Sequence, residues 1–68
     1  MAYVLLMRDI SGRGYKALHK FKTDGERDAF MTQRLMDEEC EVDYIEECLD
    51  ALMRGQMIEE GATQYEYL

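Results

Sequence analysis

Histidine occurs once in this chain, cysteine twice, and basic residues nearly vanish from its second half. Each scarcity closes off a class of function. Two cysteines cannot staple a disulfide-rich secreted scaffold. Cys40 and Cys48 stand eight positions apart without a CxxC or HxxxC partner, and His19 is the only imidazole, so no metal and no cofactor are expected. No apolar run approaches the roughly 20 residues of a membrane span, so no membrane association is expected. The segment Met1 to Asp9 has apolar residues but neither a basic n-region nor a small-residue cleavage site. It is not expected to act as a signal peptide, and a cytoplasmic location follows as an expectation. At 68 residues there is room for one domain with one thin core, spanning 1–68. That size argues against an enzyme carrying its own cofactor domain.

What is present is acid. The formal net charge is -7, and it is unevenly placed. Residues 1–34 hold seven basic and four acidic side chains, whereas residues 35–68 hold one basic side chain, Arg54, and eleven acidic ones. Eight carboxylates fall within the 14 residues from Asp37 to Asp50: Asp37, Glu38, Glu39, Glu41, Asp43, Glu46, Glu47 and Asp50. Asymmetry of this kind bears on partners and encounter rates rather than on fold. Its bland explanation is solubility, since acidic surfaces keep small domains apart.

Hydrophobic residues make up 47% of the chain, enough for a folded domain. Tyr3 to Asp9 is aromatic, β-branched and aliphatic and predicts a strand, apolar on both faces and therefore central. Ser11, Gly12, Arg13 and Gly14 predict a turn. Tyr15 to Phe21 predicts a second strand pairing back on the first, with Tyr15, Ala17, His19 and Phe21 on one face. Lys16, Leu18 and Lys20 take the other face, which suits an edge. Thr23 and Glu26 fit a capping box ahead of a helix from about Asp24 to Glu38, with Phe30, Met31, Arg34 and Leu35 turned inward. Met36 falls off that stripe. Asp43 and Glu46 repeat the capping pattern, and Ile45, Cys48, Leu49, Leu52 and Met53 recur at helical spacing. Gly55 is a natural end for this second helix; alternatively it runs to Glu60 and stops at Gly61. Thr63 to Leu68 alternates like a third strand paired with the first. The expectation is an α+β domain, order β-β-α-α-β, with a three-stranded antiparallel sheet covered by two helices on one face.

No catalytic constellation emerges. Ser11, His19 and an aspartate would have to be gathered from a turn and a strand, which is a coincidence of residue types. Cys48 on the apolar stripe reads as a buried small hydrophobe. Gly12, Arg13 and Gly14 lack the remaining glycines and the lysine of a phosphate loop, and they precede a strand rather than a helix. The chain is therefore expected not to be an enzyme.

The acidic segment is the best functional candidate. Like charges three or four apart on a helix destabilise it, and here they are not interrupted by a cation from Leu35 to Met53. The expectation is a protein-binding domain whose acidic face contacts a basic surface. The surface in view is the nucleic-acid site of another protein, inhibited by mimicry. Two alternatives stand beside it. One is self-association through a sheet edge and a surface of tyrosines and methionines. The other is weak nucleic-acid binding through a basic hairpin of Arg8, Arg13, Lys16, Lys20 and Lys22, with Tyr3 or Tyr15 stacking, against which the acidity of the whole molecule argues. In size, uneven acidity and lack of catalytic groups the chain resembles small host-directed inhibitor proteins of viral origin, a likeness of general character.

Overall fold

A computed structural model describes residues 2–12, 14 and 16–68. Strand β1 (Tyr3–Asp9) leads into β2 (Lys16–Phe21); two helices follow, α1 (Asp24–Asp37) and α2 (Val42–Met53), and then β3 (Ile58–Glu60) and β4 (Thr63–Tyr67). The expected α+β class holds, but the sheet has four antiparallel strands rather than three, in the order β2-β1-β4-β3. The extra strand, β3, occupies the stretch considered as an extension of α2. Glu60 pairs with Thr63 across Gly61 and Ala62, and Gly61 has φ +60°. A positive φ at the first of two loop residues matches strand twist, so a hairpin forms where a longer helix was the alternative. Arg13 and Tyr15, expected in the turn and at the start of the second strand, lie outside the described residues, as does Met1.

Strand β1 is central, as its two apolar faces imply, and β2 is an edge. Register assigns the faces. Leu5 pairs with His19 on one side and Tyr67 on the other, and all three point to the helices. Both helices cover that face. The core is Leu5, Met31, Leu35, Ile45, Cys48, Leu52, Tyr65 and Tyr67. His19 packs at its margin with its ring 5.0 Å from Phe30, which also meets Phe21 at 5.4 Å.

Thr23 caps α1 through its Oγ1, which accepts the Glu26 N–H at 3.1 Å. The second cap differs from expectation. Helix α2 begins at Val42 with Glu41 in the N-cap position and no side-chain cap bond, so Asp43 belongs to the first turn. It favours the helix there through the dipole rather than by capping. The stripe of α2 also narrows: Ile45, Cys48 and Leu52 are buried, whereas Met53 is 58% exposed. Met36 is likewise exposed. Helix α2 ends as Gly55 predicts. Gly55, at φ +84°, donates to the Leu52 carbonyl and Gln56 donates to the Ala51 carbonyl, both at 3.0 Å. That double bond pattern is a Schellman cap.

The two tyrosines of β4 anchor α1 to the sheet. Tyr67 donates to Asp28 Oδ1 at 2.8 Å, and the Arg27 guanidinium lies 3.8 Å from the centre of its ring. Arg34 Nη2 donates to the Tyr65 hydroxyl at 3.4 Å. Burial first, and then the bond to Asp28, push the Tyr67 phenol well above its ordinary range. A group whose pKa rises on folding contributes stability below its unfolded pKa and loses it as pH climbs past that value. Unfolding measured against pH should therefore show stability falling above pH about 10, the ordinary tyrosine value. Tyr67→Phe should cost about 1.5–3 kcal/mol at neutral pH, the worth of a hydrogen bond to a charged group, and should flatten the alkaline decline. An unchanged alkaline decline in that variant would remove Tyr67 as its cause.

Candidate acidic interaction surface

Helix α2 turns its apolar residues inward, and this decides where its acids go. Asp43 and Asp50 each stand three and four residues from the adjacent pair Glu46 and Glu47, so the four share the outer face. All four are exposed. They line a shallow open depression with Leu49 and Met53. The only cation paired with the stripe among the described residues is Arg54, whose Nη1 lies 3.4 Å from Asp50 Oδ2 in an exposed contact.

The other four predicted residues form a second group at the α1–α2 junction. Asp37, Glu38, Glu39 and Glu41 are all exposed. Asp37 Oδ1 accepts from Gln33 Nε2 at 2.9 Å, within α1. Glu38 reaches across to the β3–β4 loop, where its Oε2 would lie 3.2 Å from a Cβ built on Gly61. Glu39 has φ +62°, the only positive φ at a non-glycine residue among those described. It occupies the position after the helix cap where glycine is usual. Its N–H donates to the Met36 carbonyl at 2.9 Å, and that of Cys40 donates to Leu35 at 3.1 Å.

Glu60, which lies outside the acidic run Asp37–Asp50, joins this junction group. Its Oε2 accepts from the Tyr44 hydroxyl at 2.9 Å, which ties β3 to α2 and lifts the Tyr44 phenol well above its ordinary range. Its signal was Gly61 with the alternating Thr63–Tyr67 behind it, which marks a hairpin and places Glu60 at the turn. Both thiols sit nearby. Burial first, then Glu60, raises Cys40; burial also raises Cys48. Thiols so raised remain protonated at neutral pH and are poor nucleophiles. Among the described residues, no group of three or more His, Cys, Asp or Glu side chains is arranged to hold a metal ion. No helix of the described residues is long and apolar enough to cross a membrane.

The structure brings together part of the basic set of the alternative reading. Arg8, Lys16 and Lys20 share the sheet face away from the helices, Lys22 follows β2, and Arg13 lies outside the described residues. Tyr3, named as a stacking partner, is on the helix face under Arg27, 5.3 Å from its ring centre, and Tyr15 is not described. Of the tyrosines considered for a contact surface, Tyr65 and Tyr67 are buried in the core and Tyr44 is exposed.

No protein-family model matches the chain, and no curated protein or solved structure is significantly similar to it.

The acidic surface is held at a cost that substitution can expose. A non-glycine residue in the left-handed region is disfavoured by about 1–2 kcal/mol. Glu39→Gly should therefore stabilise the protein by about 1 kcal/mol, read as a rise in the denaturation midpoint with an unchanged slope. A lower midpoint would mean that the Glu39 side chain contributes more to the folded state than its backbone costs.

Proposed function

We propose that this chain is a non-catalytic binding domain whose acidic helix face docks on a basic protein surface, occupying the phosphate-binding groove of a nucleic-acid-processing protein and excluding nucleic acid from it. The observation that carries the reading is the stripe Asp43, Glu46, Glu47 and Asp50 on one exposed face of α2 beside Leu49 and Met53.

Spacing supports mimicry. Seven helical rises of about 1.5 Å separate Asp43 from Asp50, so four charges are spread over about 10 Å. The axial steps are about 4.5, 1.5 and 4.5 Å, which average close to the roughly 3.4 Å of axis per phosphate along one DNA strand. Energetics support a use beyond solubility. Asp43 with Glu46 and Glu47, and Asp50 with Glu46 and Glu47, are like-charge neighbours at three- and four-residue steps, each destabilising by a few tenths of a kcal/mol. Acids dispersed over the surface would keep the domain soluble without this repulsion. A cationic groove would convert the repulsion into attraction, and Leu49 and Met53 would supply apolar contact once water is displaced. The junction carboxylates Asp37, Glu38, Glu39 and Glu41 extend the negative field at the start of the same helix and steer approach.

The test is retention of partners from a lysate at about 50 mM and 500 mM salt, with duplex DNA as competitor, followed by kinetics on the partner recovered. The combined variant Asp43→Asn, Glu46→Gln, Glu47→Gln, Asp50→Asn should associate at least about tenfold more slowly at low salt and lose most of its salt dependence. It should also melt no lower than the parent, because repulsion is relieved. Unchanged association at low salt, or binding that DNA does not compete with, would sink the proposal.

A further inference from the structure

No element of the described residues covers the sheet face opposite the helices, and the charges on that face are sorted. Register lays it out in rows across the strand order. The first row runs Lys16, Arg8, Gln64, Glu59. The second runs Leu18, Leu6, Glu66, and the third Lys20, Val4, followed by Leu68, whose N–H donates to the Val4 carbonyl at 3.0 Å. The β2–β1 half is therefore basic and the β4–β3 half acidic, with aliphatic side chains in the second and third rows at Leu18, Leu6, Val4 and Leu68. Leu18 is 58% and Leu68 63% exposed. None of the charged residues on this face takes an ion pair among the described residues. The nearest internal contacts are neutral. Arg8 Nη1 donates to Gln64 Oε1 at 3.0 Å, and Gln64 Nε2 donates to Glu59 Oε1 at 3.4 Å. Lys16 and Arg8 stand directly opposite each other as cross-strand like charges, an arrangement that is destabilising in the isolated sheet.

We propose that this face binds a second copy of the chain, face to face, about a two-fold axis parallel to the strands. That rotation reverses the strand order while keeping each row in place. Lys16 then meets Glu59 of the second copy, and Val4 meets Leu68 of the second copy, each contact occurring twice. Glu66 of the second copy lands over Leu6, within side-chain reach of Arg8 and Lys20. A two-fold axis across the strands would instead bring Lys16 onto Lys20 of the second copy, so the charges select one geometry. The contact is isologous and closes at two copies.

The face is favoured over the edges. β3 offers only three residues, and β2 is flanked by lysines, both of which discourage edge pairing. Nucleic acid is a poorer occupant, because every aromatic side chain of the described strands points to the helices and no stacking platform is left. Four strands at about 4.8 Å spacing and six residues at about 3.3 Å give a face of roughly 20 by 20 Å. An interface of that size falls in the weak, transient class, with a dissociation constant between micromolar and millimolar. The helices lie on the far side of each copy, so both acidic stripes remain exposed in the dimer.

Sedimentation of the intact chain from about 10 μM to 1 mM, at low and high salt, tests this. The expected result is a monomer–dimer equilibrium that weakens with salt. Lys16→Glu alone and Glu59→Lys alone should each weaken it at least tenfold, and the two together should restore it. Both sites are exposed, and circular dichroism would confirm that each variant is folded. A monomer at 1 mM, or a dimer indifferent to both substitutions, overturns the proposal. So does association that grows beyond two copies and is lost with Glu46→Lys, since that pattern assigns the contact to the acidic helix on the open sheet.

Discussion

Between β1 and β4 run the hydrogen bonds that join the start of the chain to its end, and every layer of the molecule leans on them. Leu5 faces Tyr67 and Met7 faces Tyr65 across this pair. The two tyrosines tie the sheet to α1 by way of Asp28 and Arg34, beside the packing of Phe30 on His19 and Phe21. The inward residues of α1 then meet Ile45, Cys48 and Leu52 of α2. In a chain this short the core can spare little, and a fully buried Tyr65 at the centre of the seam contributes more apolar area than an aliphatic residue could. Burial of its ring is tolerable because the hydroxyl finds Arg34 at the core margin.

Packing α2 inward by Ile45, Cys48 and Leu52 forces its carboxylates outward, so the acidic surface is a by-product of core geometry only in position, not in composition. Nothing in the core requires that Asp43, Glu46, Glu47 and Asp50 be acids. Nor does the α1–α2 connection require Glu39, where the backbone favours glycine. Conformational strain and like-charge repulsion thus concentrate in the same part of the molecule, and on the opposite side the charges of the open sheet take no ion pair among the described residues. Both surfaces carry features that cost stability and that the core does not require.

Much of the fold was legible because local signals were strong. Tyr3–Asp9 reads as a strand from its residues alone, the Thr23 cap sets the start of α1, and Gly55 sets the end of α2. Strand β3 was hidden. Three residues, two of them glutamates, carry no period, and Gly61 serves equally as a helix stop or a hairpin loop until tertiary pairing decides. The start of α2 was misplaced because Asp43 resembles a cap, whereas the real boundary follows from the left-handed turn at Glu39, which no propensity at a glutamate announces. The acidic stripe was legible as composition; its division into an α2 face and a junction group that includes Glu60 needed the fold. The sorted charge of the open sheet was not legible, since it depends on β4 lying beside β1 and β3 lying outermost.

The strand order also sets how the chain must search for its structure. β1 with β2, and β3 with β4, are neighbours in sequence and can close as hairpins over short loops. The seam between β1 and β4 joins strands that β2, both helices and β3 separate in sequence. The largest loop-closure entropy of the fold is therefore concentrated in this one non-local pairing. Changes at Leu5, Met7 or Tyr65 would act on the rate of folding, whereas changes in the two hairpin loops would act on the rate at which edges peel away.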